Sequence, residues 1–323
     1  MCRKLEIAII IPVYNDWESL NLLLTRIELN IEKKIIGSYC IIIINDSSLI
    51  NYSSRDFEDK NYQIHIINLN KNMGHQSAIA CGLCYVYDKI KPKYTIIMDS
   101  DGEDSPSDII NLYNECLKNE IIIFAKRIKR TENITFIFFY YIYKLIFKIL
   151  TNSKIDFGNF SIIPENNMES ITNDSNLWIN YASSIIKSKI SYKSFPTIRG
   201  KRYYGKSNFS IIALMIHGFT AISIYTDIIA VRIVIFSLFT ILIIIILVIL
   251  VIFIRLYTLL AIPGWTTYLI LLLIILLFQS IFISLTMLFL YITNKKMKNI
   301  IPIKDYKNFI SKTKTINNVK LYR

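Results

Sequence analysis

The chain has 323 residues, enough for one or two domains, and is 53% hydrophobic with a mean hydropathy of +0.41, too apolar for an ordinary soluble protein. Lys and Arg number 37 against 24 Asp and Glu, a net charge of +13, which fits contact with an anionic leaflet or a phosphate-bearing substrate. No helix-turn-helix or RNA-binding signature accompanies that charge, so nucleic acid is set aside as a partner, and five cysteines, mostly in apolar surroundings, point to a reduced, cytosol-facing domain.

No secretory leader is expected, since Arg3-Lys4 runs straight into an apolar stretch. Glu6 to Val13 predicts a first strand, ending Pro12-Val13-Tyr14-Asn15. Asn15 and Glu18 make a capping-box-like start, and Leu20, Leu23, Leu24, Ile27 and Ile31 follow at helical spacing. Cys40 to Ile44 predicts a second strand, ending Asn45-Asp46-Ser47-Ser48. Ile64 to Leu69 predicts a third, followed by Asn72-Met73-Gly74-His75-Gln76. The next helix carries Ile79, Leu83, Val86 and Ile90 on one face. Its Cys81-x-x-Cys84 has no second cysteine pair, so packing outweighs metal or redox use.

Tyr94 to Met98 predicts a fourth strand, which breaks into Asp99-Ser100-Asp101-Gly102-Glu103-Asp104. Ser105, Pro106 and Asp108 then read as an N-cap, a first-turn Pro and a capping-box acid. Asp99 and Asp101, one residue apart on a turn, can aim at one point. Such oxygen ligands suit Mg²⁺ or Mn²⁺, which commonly use one or two carboxylates plus substrate phosphates; Glu103 is a third candidate ligand. An Asp-x-Asp alone is more often a solvated turn, so its context decides. Ile121 to Ala125 predicts a fifth strand, followed by basic Lys126, Arg127, Lys129 and Arg130.

Strands alternating with helices, and reading as continuous apolar runs, predict an α/β fold with a mostly parallel sheet covered on both faces. The polar clusters fall at the C-terminal ends of strands and should converge. There is no G-x-G-x-x-G or P-loop among only 9 glycines, so a nucleotide would have to be held by side chains and a metal.

Ile134 to Leu150 is apolar, aromatic and short for a span, suiting a helix against the membrane or beneath the sheet. Asp156-Phe157-Gly158-Asn159-Phe160 follows; on a strand, Asp156 and Asn159 would point to opposite faces. Arg199-Gly200-Lys201-Arg202-Tyr203-Tyr204-Gly205-Lys206-Ser207 is a second basic cluster. It reads equally as a lipid-binding patch or as a loop hinged at Gly205 that closes over phosphate. Ser210 to Tyr225 predicts an interfacial helix, with no role for His217. Ile228 to Ile254 and Thr267 to Ile292 are each long enough to span a bilayer. Arg232 is placed to snorkel and Gln279 to bond between helices, and Pro263-Gly264 breaks the chain between the spans. Lys295, Lys296 and Lys298 follow, so the positive-inside rule puts catalytic domain and tail in the cytoplasm. The expected divisions are a catalytic domain over 1–206, a juxtamembrane amphipathic helix over 207–227, two transmembrane helices over 228–293 and a basic cytoplasmic tail over 294–323.

The four strand-end motifs, in this order, resemble family-2 glycosyltransferases over about residues 5–210. Gly74-His75-Gln76 and the extended acidic loop are most similar to the membrane-anchored branch of dolichol-phosphate mannose synthases and bactoprenol-phosphate glucosyltransferases. That resemblance implies a GT-A fold and a UDP- or GDP-linked nucleotide-sugar donor. It implies that Pro12, Tyr14 and Asn15 of the first motif lie beside the donor, with Tyr14 stacking near the base, and that Asp46 hydrogen-bonds the base. It implies that Asp99 and Asp101, flanking Ser100, bind the metal–diphosphate, that Gly74, His75 and Gln76 line the substrate site, and that Arg127, Arg199 and Arg202 face phosphates.

Asn159 stands where many relatives carry an Asp thought to act as base or to position the acceptor. Either Asp156 substitutes, or the acceptor is a phosphate, already ionised at neutral pH and in no need of a base. The implied activity is inverting, metal-dependent hexosyl transfer from nucleotide sugar to polyprenyl phosphate at the cytoplasmic membrane face. One alternative is extension of a lipid-linked glycan, whose hydroxyl needs a base. A second is an inactive membrane-anchored binding or scaffold protein, which intact Asp46, Asp99 and Asp101 argue against. A homo-oligomer is left open.

Overall fold

The computed structural model describes residues 5–31, 38–53, 57, 60–128, 134–153, 156–205, 211–258, 262, 264–296 and 300–316. Its sheet is built from the Ile-rich runs. β1 (Ile7–Val13), β2 (Tyr39–Asn45), β3 (Gln63–Leu69) and β4 (Tyr94–Ile97) are parallel neighbours in the order β4-β1-β2-β3. Side chains alternate across a strand, and both faces are buried, so both sets are apolar. Ile7, Ile9 and Ile11 pack with α1 (Trp17–Ile31) and α3 (Asp108–Asn119). Ala8 and Ile10 pack with α2 (His75–Tyr85), α5 (Glu165–Thr172) and α6 (Tyr181–Lys187).

Four further strands complete an eight-stranded sheet: β5 (Ile122–Arg127), β6 (Ser161–Pro164), β7 (Tyr192–Thr197) and β8 (Ile310–Ile316), in the order β7-β5-β6-β4-β1-β2-β3-β8. β6 inserts antiparallel between β4 and β5, and β8 runs antiparallel along β3. β8 changes the expected divisions. Residues 300–316 are not a separate tail but return to the sheet-bearing unit. α10 (Pro302–Asp305) leads into a 3-10 turn over Tyr306–Phe309; there the buried Tyr306 donates its hydroxyl to Asp88 Oδ2 at 2.7 Å, and Asn70 N–H donates to Phe309 O at 2.9 Å. Lys312 and Lys314 lie on the exposed edge, where charge discourages pairing with another chain.

Two helix starts differ from expectation. α1 begins at Trp17, and Asn15, at φ 60°, turns its Oδ1 to the N–H groups of Leu49 (2.8 Å) and Ile50 (3.1 Å). Asn15 therefore closes the β2 exit loop instead of capping a helix. α3 begins at Asp108, whose own N–H donates to Ser105 O at 3.0 Å, so Ser105 and Pro106 form a turn ahead of the helix.

The second unit contains α8 (Thr226–Tyr257) and α9 (Trp265–Lys296), two helices long and apolar enough to cross a membrane. They pack through Ile244, Val251 and Leu273. Ala230, Ser237, Ile244 and Val251 are the buried positions of α8, a heptad spacing with small residues at one end that allow close approach. The last residues of α4 (Ile134–Thr151) belong to this unit, where Phe147 packs edge-on to Tyr225 at 5.6 Å. Arg232, expected to snorkel, donates to Ile149 O at the C-terminal end of α4, where a cation complements the helix dipole. Gln279 lies exposed on α9. α7 (Ile211–Ser223) belongs to the first unit. Pro263 falls outside the described residues.

Candidate functional site

Parallel register brings the ends of β1, β2, β3 and β4 together. Val13 lies opposite Asn45, Asn45 lies opposite Asn68, and Asn45 Nδ2 donates to Asn68 Oδ1 at 2.8 Å. Asp46, just past β2, is buried and accepts from Met73 N at 2.7 Å and Gly74 N at 2.9 Å. It thereby fixes the loop entering α2, where Gly74 has φ 86°, a conformation that favours glycine. Burial raises the proton affinity of Asp46, and the two backbone N–H groups lower it. The resemblance gives Asp46 to the nucleotide base; the fold already uses both its oxygens on the loop, leaving one lone pair on each for a ligand.

The acidic loop is folded on its own backbone. Asp99 N–H donates to Asp104 Oδ2 at 3.0 Å, and Glu103 N–H to Asp101 Oδ1 at 2.9 Å. Burial and then the neighbouring Asp99 charge push Asp101 up to about 6. The same two causes, in the same order, raise Asp104 well above the carboxylate range. His75 Nε2 lies 3.2 Å from Asp99 Oδ1. Burial lowers its proton affinity, but Asp99, Asp104 and Asp101 raise it and prevail.

The loop after β7 sits on this acidic loop. Gly200 N–H donates to Glu103 O at 2.8 Å and Tyr203 N–H to Asp101 O at 2.9 Å. The contact needs two glycines: a Cβ on Gly200 would meet Gly102 O at 2.5 Å, and one on Gly102 would meet the Tyr203 ring at 2.4 Å. Arg26 from α1 lies over the same ring, 4.5 Å from its centroid. Arg202 bridges Asp101 and Asp16, while Arg199 pairs with Glu103. Arg127 lies 3.6 Å from Glu103 and 3.7 Å from Asp104. Glu103, expected as a third metal ligand, is thus turned to the arginines.

Asn159 joins the centre, with Nδ2 3.2 Å from His75 Nε2 and Oδ1 accepting from Gln76 Nε2 at 3.3 Å. Asp156 is paired with Lys126. Residues 156–160 precede β6 as irregular chain, so the strand alternation expected of Asp156 and Asn159 does not apply to them. Tyr14 is 44% exposed at the end of β1. Pro12, expected beside the ligand, is instead buried within β1; the β4 ladder covers only Ile7–Ile10, so the missing N–H breaks no bond there. Ser100 is buried too. Lys129, Arg130, Lys206 and Ser207 lie outside the described residues. Burial pushes the Cys81 thiol up to about 12 and Cys84 well above its usual value, which keeps both protonated inside α2. Asp16 and Tyr181 were not anticipated, and Asp104 and Lys126 were named only as members of the acidic loop and the basic cluster. The count of acids in the loop hinted at Asp104; the others emerge only when the chain returns to the site.

Among the described residues no group of three or more His, Cys, Asp or Glu is arranged to hold a metal. Asp99 and Asp101 nonetheless fit Mg²⁺ or Mn²⁺. Both are hard oxygen donors at the C-terminal ends of the parallel strands, and the burial and then the Asp99 charge that raise Asp101 are both offset by a cation. Ligands completed by substrate phosphates are the usual arrangement for Mg²⁺.

Glycosyl transferase family 2 matches residues 8–170, half of the chain and the part that carries β1 to β6. An uncharacterised glycosyltransferase of Synechocystis is 30% identical over 128 residues, 39% of each chain. An undecaprenyl-phosphate 4-deoxy-4-formamido-L-arabinose transferase of Photorhabdus laumondii is 27% identical over 132 residues, 40% of this chain and 39% of that one. The chain thus spans about two fifths of the length of the curated relatives it matches. A glucosyl-3-phosphoglycerate synthase from Mycobacterium tuberculosis, in complex with Mn²⁺, UDP and phosphoglyceric acid, aligns at 10% identity and TM-score 0.49 over 70% of this chain and 78% of its own. The family match covers the strands that deliver Asp46, His75, Asp99 and Asp101, and the mostly parallel α/β sheet is the architecture expected of it: the chain belongs to glycosyl transferase family 2.

Proposed function

We propose that the protein transfers a sugar from a nucleotide sugar to the phosphate of polyprenyl phosphate, with inversion, at the cytoplasmic face of a membrane. The observation that carries this reading is the meeting of His75, Asp99 and Asp101 with Arg199 and Arg202 at the C-terminal ends of β1 to β4. In the transfer, an acceptor phosphate oxygen bonds to C1 of the sugar from the face opposite the leaving group. The C1–oxygen bond to the diphosphate breaks, and the nucleoside diphosphate leaves with the electron pair. Asp99 and Asp101 would hold Mg²⁺ or Mn²⁺, which when bound offsets charge on the diphosphate. Arg202 and Arg199 bring N–H donors that pair well with phosphate oxygens, and reach them by exchanging partners from Asp101 and Glu103. Tyr14 offers the exposed ring for the base.

A phosphate monoester loses its second proton near pH 6 and attacks without a base. That suits Asn159, which cannot take a proton, and Asp156, which is tied to Lys126. The glycan-hydroxyl alternative needs a base, and its candidate, Asp156, is paired with Lys126. A lipid phosphate acceptor is further supported by the undecaprenyl-phosphate transferase among the relatives and by the two apolar helices. Both flanks of α8–α9 belong to one unit, which two crossings satisfy, and the lysines after α9 favour the cytoplasm for that unit. The test is to supply purified protein with a panel of nucleotide sugars, Mg²⁺ or Mn²⁺ and undecaprenyl phosphate, and to identify the lipid product by mass.

A further inference from the structure

Side-chain amides have two orientations, and a neighbouring group that cannot turn decides between them. Tyr181 supplies such a group. Its backbone N–H, at the first residue of α6, has no partner within the helix and donates to Gln76 Oε1 at 2.8 Å. That places Gln76 Nε2 on the other side, where it donates to Asn159 Oδ1 at 3.3 Å. Asn159 must then face His75 with its Nδ2, which lies 3.2 Å from the ring nitrogen. Turning Asn159 over would set N–H against N–H at Gln76.

Tyr181 also holds Asn159 from behind. Ser161 donates its single hydroxyl proton to Asn159 O at 2.9 Å, so the Tyr181 hydroxyl, 2.9 Å from Ser161 Oγ, is the donor in that contact. Tyr181 and Ser161 are both fully buried, and the Tyr181 ring packs against Phe124 at 5.6 Å. One residue thus fixes both the backbone carbonyl and the side-chain amide of Asn159.

We propose that Gln76 and Tyr181 are positioning residues that orient the Asn159 amide so that it offers an N–H, and not an oxygen, to the acceptor. The inference rests on the proposed transfer to a lipid phosphate and adds to it the device that suits position 159 to an anionic oxygen. His75 Nε2 already carries the hydrogen that it donates to Asp99, so it accepts neither hydrogen of Asn159 Nδ2 and both remain for the acceptor. An N–H meets a phosphate oxygen favourably; a carboxylate or a carbonyl at the same place would repel it.

Gln76→Glu tests the relay in the full chain with undecaprenyl phosphate as acceptor. The glutamate still accepts from Tyr181 N–H but presents an oxygen to Asn159, which then turns over. A hydrogen bond to a charged group contributes about 1.5–3 kcal/mol, so kcat/KM for undecaprenyl phosphate should fall roughly 10- to 100-fold. Donor Kd should change less than about twofold, and in an Asn159→Ala background the same substitution should change little further. An equal loss in both backgrounds, or no loss, overturns the proposal. Tyr181→Phe keeps the ring packing and drops only the hydroxyl donor; it should lower the same kcat/KM by roughly three- to tenfold with donor Kd unchanged. A loss of donor binding or of the fold itself would make Tyr181 merely structural and count against it. A readout independent of turnover is the ¹⁵N resonance of the Asn159 side-chain amide, identified by its disappearance in Asn159→Ala. It should move in Gln76→Glu, and a resonance that stays put overturns the relay. A resonance that moves in a protein transferring nothing to undecaprenyl phosphate would leave the relay standing and overturn the proposed function.

Discussion

One guanidinium ties three parts of the chain together: Arg202 Nη1 lies 3.3 Å from Asp101 Oδ2, and its Nη2 lies 3.1 Å from Asp16 Oδ2. The loop after β7 is thereby held against the acidic loop and the start of α1. The contact is partly exposed, and such pairs contribute about 0–1 kcal/mol to stability.

Arg202→Ala should therefore leave the thermal midpoint almost unchanged. The same guanidinium is proposed to reach the diphosphate, so donor Kd should rise roughly tenfold or more, as expected when one hydrogen bond to a charged group is lost. Calorimetric titration with nucleotide sugar reads this directly. An unchanged Kd would remove Arg202 from the site.

Asp101→Asn separates charge from geometry. The asparagine Oδ1 can still accept Glu103 N–H, so the loop should persist. Cation-stimulated donor binding should nonetheless be lost, and turnover should drop about 10²-fold or more, the scale of losing one electrostatic partner of a developing charge. Asp99→Asn should behave alike, since the Asp99 contact to Asp104 is made by its backbone N–H. Near wild-type turnover in either variant would refute the metal assignment.

Acid should release the returning C-terminal segment first. Hydrogen bonds from Tyr306 and then Lys307 hold Asp88 down to about 2, against about 3.9 for a free aspartate. A carboxylate depressed in the folded state adds stability above its unfolded value and loses it as pH falls through the folded one. The contribution should thus be complete above about pH 4 and fade towards pH 2. Hydrogen exchange of β8 amides should quicken over that window, and Asp88→Asn should show the faster exchange already at neutral pH. Exchange in β8 that ignores both changes would separate Asp88 from the docking of this segment.

Tags can test the crossing. One at the N-terminus and one after Lys320 should be shielded from reagents outside intact cells, and one inserted between α8 and α9 should be reached. Labelling of the C-terminal tag from outside would contradict the pairing of β8 with β3 as well as the two-span reading.

The parallel strands were legible because β1 to β4, buried on both faces, had to be continuous apolar runs. β6 is only Ser161–Pro164, and β7 and β8 mix Lys, Ser and Thr on exposed edges, so no apolar run announced them. The acids at the strand ends were legible as a group, but their partners were not. Arg199 and Arg202 reach Glu103 and Asp101 because two glycines let the loops touch, a contact no local pattern encodes. The same limit applies to Asp156 and Asn159: strand alternation does not govern them, because residues 156–160 are irregular chain.

The central claim is that an ionised lipid phosphate receives the sugar. The direct measurement offers the purified protein its nucleotide sugar with undecaprenyl phosphate in one arm and undecaprenol, the same lipid without phosphate, in the other, and weighs the lipid products. The account predicts a product equal in mass to undecaprenyl phosphate plus one sugar residue in the first arm, and none in the second. Transfer to undecaprenol, or to a lipid-linked glycan while undecaprenyl phosphate stays unmodified, would contradict it.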